Sequence, residues 1–390
     1  MNFSRRVSSV QPSATLAINA KAQELRAAGE NVVSLAVGEP DFPTPPHIIQ
    51  AAKNALDEGF TRYTAVPGIP ELRQAVAGYF SSSYSIECRF DEVMVSNGGK
   101  QCLFNLIQAL VDPGDEVLIP GPYWVSYPAL VQLAEGVPVI VPTEPEDNFL
   151  VNISSLEKHV TDKTRLLILN TPSNPTGCHY DQKVLTEIAT WAASKNIFVI
   201  SDEIYDQLVY SPAKPASLCG FWMENKDKVA VVNGLSKTFA MTGWRVGYTL
   251  THMDIIKAMT RIQGQSTSNI CSIAQKGALA ALTGSFEFVD DMKKAFAPRR
   301  DLALEIINSW KGGYCPKPDG AFYVFPRVDT FYKDGMDTSS KLCEMVLEQE
   351  KIALVPGAAF GDDRCIRISY AVSEKILTES LEKIGKLLKK

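Results

Sequence analysis

Short apolar runs alternate with helical stretches through the middle of this chain. Seven runs, rich in β-branched residues, predict strands over residues 92–95, 117–120, 137–141, 166–170, 197–201, 229–233 and 246–250. Helical stretches lie between them, for example over residues 101–111 and 184–194. This alternation predicts an α/β fold with a mostly parallel seven-stranded sheet sandwiched by helices.

The pattern becomes helical beyond about residue 255, over 255–282 and 286–309, and a second α/β stretch then closes the chain. In that stretch we expect strands over 321–326, 352–355 and 366–369 and helices over 339–349 and 374–388. A chain of 390 residues suits two domains. We predict a large domain over residues 46–285 and a smaller α/β domain built from residues 1–45 together with 286–390.

Composition narrows the class of protein. A net charge of -5 without a basic block argues against a nucleic-acid partner. No apolar run approaches the roughly 18 residues of a membrane helix, so we expect no membrane association. Arg5-Arg6 is not followed by an apolar segment, and the eight cysteines show no CxxC spacing, which predicts reduced thiols and a cytoplasmic location. The four histidines form no pairing motif, so we expect no metal site.

Polar motifs follow four of the predicted strands directly. They are SNGGK at 96–100, NTPSNP at 170–175, SDEIY at 201–205 and NGLSK at 233–237. Ligands of open α/β sheets bind beyond the carboxyl ends of the strands. The four motifs therefore predict one polar site at a single edge of the sheet.

A lysine dominates the last of these motifs. Lys237 lies in a turn of small residues after the apolar run 229–232, and Arg245 follows eight positions later between glycines. This arrangement suits a lysine that forms a Schiff base and an arginine for a phosphate on the same ligand. The alternative is a surface lysine in a turn. The segment 233–247 resembles the pyridoxal-phosphate lysine signature of class I aminotransferases.

The other motifs offer the remaining groups that a pyridoxal ring needs. Asp202 can keep a proton on the ring nitrogen, although an aspartate there can also cap the following helix. Tyr205 and Asn174 can hydrogen-bond the ring hydroxyl oxygen, and Asn174 is also a turn residue before Pro175. We therefore predict Lys237, Asp202 and Tyr205 as catalytic residues.

The phosphate of such a cofactor needs hydrogen-bond donors. Gly98-Gly99-Lys100 leads into a helix that starts near Gln101, so backbone N–H groups and the positive helix end can face a dianion. Arg245 adds a charged fork and Ser236 a hydroxyl. Trp124 can stack on the ring face, its alternative being a core tryptophan.

Over essentially its whole length the chain resembles class I aminotransferases of the fold type I family. It is most similar to the bacterial and plant branch of aspartate aminotransferases, some of which also use prephenate. The matching strings are PSATLAI at 12–18, AVGEPDFPTP at 36–45, RYTAVPGIPELR at 62–73, SNGGKQ at 96–101, PYWVSYP at 122–128, PSNPTG at 172–177, SDEIYD at 201–206, GAFYVFP at 320–326, VPGAAFG at 355–361 and IRISYA at 366–371.

The resemblance assigns a role to each matching position. Lys237 holds pyridoxal 5′-phosphate, and Arg367 binds the substrate α-carboxylate with the backbone of Gly38. A strand-edge arginine in a salt bridge is the alternative for Arg367. Tyr63 reaches the phosphate of a neighbouring subunit, which implies a homodimer. The full cofactor-binding set is Tyr63, Gly99, Lys100, Gln101, Trp124, Asn174, Asp202, Tyr205, Ser236, Lys237 and Arg245.

In the same branch, residues that match Lys100 and Thr15 bind the side-chain carboxylate of acidic substrates. The resemblance also places Trp124 and Asn174 beside the substrate. Lys100 can instead be a solvated lysine at a helix start or chiefly a phosphate partner. The chain departs from many relatives at Gly234, where they carry a phosphate-binding serine. It also lacks a match to the second arginine of the animal-type enzymes.

These residues imply an aminotransferase that moves the amino group of aspartate to 2-oxoglutarate by ping-pong kinetics. One alternative is an aspartate or glutamate–prephenate aminotransferase. Another keeps the cofactor but acts on alanine, aromatic amino acids or kynurenine, or is a β-lyase. A third is a non-catalytic binding protein on the same fold. In every enzymatic case the partners are amino acids and 2-oxo acids.

Overall fold

The computed structural model describes residues 3–10, 14–213 and 215–389, without the side chains of residues 14–16 and 19. In that part of the chain the helices are α1 (Arg5–Ser9), α2 (Ala14–Ala27), α3 (Pro46–Asp57), α4 (Pro70–Tyr84), α5 (Gly99–Leu110), α6 (Tyr127–Leu133), α7 (Ile153–Glu157), α8 (Gln182–Ser194), α9 (Cys219–Glu224), α10 (Leu235–Thr238), α11 (Met253–Ser266), α12 (Ser272–Thr283), α13 (Glu287–Asn308), α14 (Ser339–Glu350) and α15 (Glu374–Leu388). The strands are β1 (Val33–Ser34), β2 (Val93–Ser96), β3 (Glu116–Pro120), β4 (Val137–Val141), β5 (Thr164–Asn170), β6 (Phe198–Asp202), β7 (Val229–Gly234), β8 (Gly247–Leu250), β9 (Tyr323–Val324), β10 (Ile352–Ala353), β11 (Val355–Pro356) and β12 (Ile366–Ser369).

Seven strands form the central sheet in the order β2-β8-β7-β6-β5-β3-β4. All neighbours run parallel except β8, which is antiparallel to both β2 and β7. Strands β2, β7 and β8 are buried at every position, because helices cover both faces of the sheet. The predicted α/β fold with a mostly parallel seven-stranded sheet is confirmed.

Each face of this sheet has its own apolar core. Ile200, Ala230 and Val232 pack with residues of α5 and α6 on one face. Val199, Val229 and Val231 pack with residues of α4, α8 and α9 on the other. Alternate residues of a strand point to opposite faces, so neighbouring polar residues at a strand end also face opposite ways.

Two smaller sheets bring the ends of the chain together. β1 pairs in parallel with β10, and β11-β12-β9 form an antiparallel sheet. The N-terminal stretch thus joins a strand that lies more than 300 residues later in the chain. The division into domains at residues 46 and 285 agrees with this pairing but remains a prediction.

Some predicted bounds were wrong in detail. The helix expected over 255–282 is interrupted after Ser266, where Ser268 adopts a left-handed backbone with φ of 60°. The strand expected over 321–326 is confined to Tyr323–Val324, and the one expected over 352–355 divides between two sheets. These errors fall outside the central sheet. None of the described helices is long and apolar enough to cross a lipid bilayer.

Candidate active site

One cavity of about 330 Å³ opens beyond the carboxyl ends of β5, β6 and β7. Eleven of the residues singled out in the sequence line it: Gly38, Gly99, Lys100, Trp124, Asn174, Asp202, Tyr205, Ser236, Lys237, Arg245 and Arg367. They come from the end of β6, from helices and loops beside the central sheet, from the stretch that follows β1 and from β12. The convergence expected from the four polar motifs is therefore present in the fold.

Lys237 occupies the short helix α10, directly after β7. Its side chain is partly exposed to the cavity, and its Nζ donates a hydrogen bond to the carbonyl of Gly38. Desolvation lowers the pKa of Lys237 to about 8, Glu39 opposes this shift, and Arg367 and Arg245 add to it. A substantial fraction of the amine can therefore be neutral near pH 7 to 8, as a nucleophile or base requires.

Asp202 ends β6, with a side chain that is almost completely buried. Its carboxylate accepts hydrogen bonds from the Tyr127 hydroxyl at 2.7 Å and from the backbone N–H of Ile204 at 3.3 Å. Burial raises the pKa of Asp202 to about 6, against the opposing effects of these two donors and Lys237. Because burial disfavours the ionised form of Asp202, a positive charge placed beside this carboxylate would stabilise it.

Arg367 lies in β12 as a buried cation. Its guanidinium donates to the Asn174 side-chain oxygen at 2.9 Å and to the carbonyl of Ala36 at 2.7 Å. Its Nε is buried and has no hydrogen-bond partner among the described residues. Both observed partners are neutral, so the salt bridge considered from the sequence is absent from the described residues, and an anionic ligand would suit this arginine.

A tight turn forms another wall of the cavity. Gly98 has φ of +83°, and a Cβ there would overlap the guanidinium of Arg245. A Cβ on Gly247 would overlap the backbone of Gly98 and Gly99, so β8 packs directly against the start of α5. Arg245 donates to the carbonyls of Thr242 at 3.0 Å and Asn97 at 3.3 Å. The start of α5, with its free N–H groups, thus lies beside a guanidinium, an arrangement suited to a phosphate.

Lys100 and Trp124 lie together on the cavity wall. The Lys100 Nζ is 5.0 Å from the centre of the Trp124 ring, within the range of a cation–π contact. Burial, reinforced by Arg245, lowers the pKa of Lys100. Trp124 is half-buried and also packs against the apolar core on this face of the sheet, so its stacking on a cofactor ring stays a prediction.

Two predicted residues, Gln101 and Tyr63, do not line the cavity. The Gln101 side chain accepts from the Asn97 N–H at 2.8 Å and donates to the Thr267 hydroxyl at 2.6 Å. Tyr63 is 91% exposed. The side chain of Thr15 lies outside the described residues. Their predicted contacts with cofactor or substrate therefore stay predictions.

The sequence reasoning missed two tyrosines on the cavity wall. Tyr127 donates to Asp202, and the Tyr323 hydroxyl lies 2.9 Å from the Tyr205 hydroxyl. Both belong to strings quoted for the family resemblance, PYWVSYP and GAFYVFP. The only signal in the sequence was a tyrosine inside each string, which does not reveal where its hydroxyl points.

The chemistry of these groups fits pyridoxal 5′-phosphate. A desolvated lysine suits its aldehyde, and a buried carboxylate without an ion pair among the described residues suits a protonated ring nitrogen. The start of α5, Ser236 and Arg245 suit the phosphate. Arg367, with its unpartnered Nε, is left for a second anion.

Comparisons with known proteins agree with this chemistry. The sequence model of the family described as "Aminotransferase class I and II" matches residues 30–384. The probable aspartate/prephenate aminotransferase of Rickettsia prowazekii is 45% identical over 389 residues, covering 98% of each chain. The aspartate aminotransferase of Bacillus subtilis is 42% identical over 391 residues, covering 100% of each chain.

Among solved structures, the aspartate aminotransferase of Thermus thermophilus with maleate superimposes with a TM-score of 0.94 at 41% identity. The superposition covers 99% of this chain and 100% of the other. Sequence and fold thus agree over nearly the full length. The chain belongs to the class I and II aminotransferases, the family of pyridoxal-phosphate-dependent enzymes that its cavity also fits.

Proposed function

We propose that this protein transfers the amino group of aspartate to 2-oxoglutarate, giving oxaloacetate and glutamate in a ping-pong reaction. The observation that carries the proposal is one cavity in which Lys237, Asp202 and Arg367 converge, none of them in a salt bridge with another described residue. The relatives named aspartate aminotransferase support the choice of substrate.

Lys100 supports an acidic substrate. It is a cation on the cavity wall, held over Trp124 rather than in a salt bridge of the described residues. The related Thermus thermophilus structure was obtained with maleate, a four-carbon dicarboxylate. We assign the side-chain carboxylate of aspartate to Lys100, with Thr15 as its predicted partner.

Prephenate is the second candidate acceptor. The Rickettsia prowazekii relative carries the name aspartate/prephenate aminotransferase at 45% identity. Prephenate also bears a second carboxylate, which Lys100 could read in the same way. Neutral amino acids would leave Lys100 without a counter-charge, so alanine, aromatic amino acids and kynurenine fit this cavity less well.

The cofactor would be held from several sides. We assign its phosphate to the start of α5 at Gly99, to Ser236 and to Arg245, its ring face to Trp124, and its ring hydroxyl oxygen to Tyr205 and Asn174. Because the Asn174 oxygen accepts from Arg367, its amide N–H₂ remains free to donate. Gln101 would act by holding the turn at Asn97.

When bound, pyridoxal phosphate supplies an aldehyde for the amino group and a ring that withdraws electrons from the substrate Cα. Asp202 keeps the proton on the ring nitrogen, because its buried carboxylate is stabilised by the positive charge. Arg367 and the backbone of Gly38 orient the α-carboxylate, which fixes the Cα–H bond toward Lys237. The Lys237 amine, with its lowered pKa, would take that proton from Cα and deliver it to the carbon that carried the cofactor's aldehyde, so that the amino group stays with the cofactor.

We further propose a homodimer in which Tyr63 reaches the phosphate of the neighbouring subunit. Tyr63 is 91% exposed, yet its loop is anchored by two buried glutamines. Gln263 donates to the carbonyl of Val66 at 2.9 Å, and Gln275 donates to the Thr64 hydroxyl at 2.9 Å. An exposed aromatic on a fixed loop suits an interface.

The eight cysteines are all unpaired thiols, which supports the predicted cytoplasmic location.

Single-turnover spectroscopy with one amino acid at a time tests the proposed activity. Aspartate and glutamate should change the absorbance of the bound cofactor much faster than alanine or phenylalanine do. Lys100→Ala should slow aspartate and glutamate roughly 10- to 100-fold and leave alanine within about twofold, because it removes one charge-assisted contact to the second carboxylate. Unaltered aspartate kinetics in Lys100→Ala would contradict the assignment.

Lys183→Ala is the matched control, since Lys183 is an exposed lysine on α8 that does not line the cavity. Lys237→Ala should abolish the absorbance of the lysine-bound cofactor and the transfer reaction. A protein that binds the cofactor but transfers no amino group from any of these amino acids would indicate a binding protein instead.

A further inference from the structure

Tyr323 has no function assigned above, although its hydroxyl reaches the proposed catalytic residues. It lies at the start of β9 and is completely buried by protein atoms at the cavity wall. Its hydroxyl is 2.9 Å from that of Tyr205, and the two rings meet edge to face with centroids 5.9 Å apart. Neither hydroxyl has another hydrogen-bond partner among the described residues.

Tyr323 also touches both groups proposed for the substrate carboxylate. The guanidinium carbon of Arg367 lies 4.6 Å from the centre of its ring, and the Phe360 ring is 5.0 Å from the same carbon. On the other side, a Cβ added to Gly38 would come within 2.9 Å of the Tyr323 hydroxyl oxygen. One side chain thus contacts the carboxylate site and the residue proposed for the cofactor oxygen.

The direction of the hydrogen bond between the two tyrosines follows from counting protons. A phenol has one proton to donate and can accept in return. If Tyr205 donates its proton to the cofactor's ring oxygen, the bond between the tyrosines must run from Tyr323 to Tyr205. A hydroxyl that accepts one hydrogen bond donates a stronger one, because the two bonds polarise each other.

We propose that Tyr323 is a positioning residue whose hydroxyl donates to Tyr205, directs the Tyr205 proton toward the cofactor's ring oxygen and strengthens that bond. The inference rests on the proposed function of Tyr205 and adds to it a group contributed by β9. The ring of the same residue also packs under the Arg367 guanidinium, so one side chain supports both the proposed carboxylate site and the proposed contact to the cofactor oxygen.

Tyr323→Phe tests the relay, because it keeps the ring under Arg367 and removes only the hydroxyl. The measurement is the pH midpoint at which the absorbance of the Lys237-bound cofactor changes. A hydrogen bond donated to the ring oxygen stabilises its negative charge and weakens its hold on the proton shared with the neighbouring nitrogen. Losing that bond should raise the midpoint, by about one pH unit in Tyr205→Phe and about half a unit in Tyr323→Phe.

The double variant distinguishes a relay from two separate effects. If Tyr323 acts through Tyr205, the double variant should have the same midpoint as Tyr205→Phe alone. The relay also predicts a kinetic effect. In Tyr323→Phe, kcat should fall a few-fold while KM for aspartate stays within about twofold. Tyr370→Phe is the control, since this buried tyrosine donates to the carbonyl of Ala321 at 3.2 Å and does not line the cavity.

An unchanged midpoint in Tyr323→Phe beside a raised one in Tyr205→Phe would overturn the inference and leave the proposed function intact. Additive shifts in the double variant would overturn it as well, because Tyr323 would then act independently of Tyr205. A midpoint that Tyr205→Phe does not move would remove the function proposed for Tyr205 and the relay with it. If the wild-type enzyme transferred no amino group from aspartate, the proposed function itself would be refuted.

Discussion

Two neighbouring carboxyl groups, Asp202 and Glu203, lie at the end of β6 and face opposite sides of the central sheet. Asp202 borders the cavity and accepts from Tyr127 at 2.7 Å. Glu203 points to the rear face and accepts from the Ser201 hydroxyl at 2.7 Å and the Leu218 N–H at 2.9 Å. Burial raises both pKa values, to about 6 for Asp202 and about 7 for Glu203.

The pair shows that a perturbed pKa does not by itself mark a functional group. The pKa of Glu203 is raised by a similar amount, yet its surroundings are protein atoms and it does not line the cavity. What sets Asp202 apart is the space in front of it, shared with Lys237 and Arg367. Convergence on a cavity therefore outweighs the size of the shift as a criterion for a site.

Activity gives the largest expected contrast between the two faces. Asp202→Asn should lower kcat/KM for aspartate roughly 10²- to 10⁴-fold, because an amide cannot stabilise the proton on the ring nitrogen. Glu203→Gln should change it less than about threefold. Steady-state kinetics with saturating cofactor measures both variants. Equal losses in the two would show that the rear face also supports catalysis, and the comparison would fail.

The same substitutions that lower activity or leave it unchanged should increase the stability of the cofactor-free protein, in a pH-dependent way. A carboxyl whose pKa is higher in the folded state keeps its proton longer there, so the free energy of unfolding falls as pH rises from the unfolded pKa, roughly 4, to the folded one. For Glu203 this window ends at about pH 7. Glu203→Gln removes the titration and should stabilise the cofactor-free protein at pH 8 by on the order of 1–3 kcal/mol, and by less at pH 5.

Denaturant unfolding at both pH values measures this effect, and Asp202→Asn sharpens it. Without cofactor, Asp202→Asn should stabilise in the same direction over a window that ends at about pH 6. With cofactor bound, the gain should disappear for Asp202 and persist for Glu203, since only Asp202 then faces a positive charge. A Glu203→Gln gain equal at pH 5 and pH 8 would rule out the titration.

The smallest expected contrast between the two faces concerns the tyrosines that donate hydrogen bonds to Asp202 on the cavity side and to Asp206 on the rear side. Tyr127→Phe removes a donor from Asp202, which should raise the pKa of that carboxyl and lower kcat about three- to tenfold, with the acidic limb of the kcat/KM profile moved toward neutral pH. Tyr84 donates to Asp206 at 2.6 Å on the rear face, where Tyr79 also donates to the same carboxylate. Tyr84→Phe should lower Tm by a few degrees and leave kcat within about twofold.

Measuring kcat and Tm for both tyrosine variants tests this contrast. If Tyr84→Phe changed the pH profile as Tyr127→Phe does, the two faces would be electrostatically coupled through the strand. If neither variant changed the profile, the Tyr127 hydrogen bond would serve only packing.

The sequence was sufficient for the central sheet because most of its strands are apolar and largely buried, and several of them end in polar motifs. It was also sufficient for Asp202 and Lys237, which are placed by the strands that precede them. It misjudged β9, since the string from Ala321 to Pro326 reads as one strand while only Tyr323 and Val324 pair. Short edge pairings depend on partners that are distant in the chain.

The hydrogen-bond partners of the Tyr127 and Tyr323 hydroxyls could not be predicted from the sequence for a related reason. Each meets its partner across a long sequence separation, Asp202 for one and Tyr205 for the other. A local pattern fixes the element but not which side chain it meets. Gln101 was also predicted to contact the cofactor, and its side chain accepts from the backbone N–H of Asn97 in the turn before α5, so that contact stays a prediction.

The packing of Gly247 against Gly98 and Gly99 limits how this enzyme can diverge. Any side chain at position 247 would push β8 away from the start of α5, so substitutions there remove the phosphate end of the cavity rather than reshape it. Lys100 and Trp124, by contrast, meet through a contact between their side chains. An evolving lineage, or an engineer seeking a new amino donor, would therefore find its freedom around Lys100 and Trp124, while the turn proposed to hold the phosphate would be inherited unchanged.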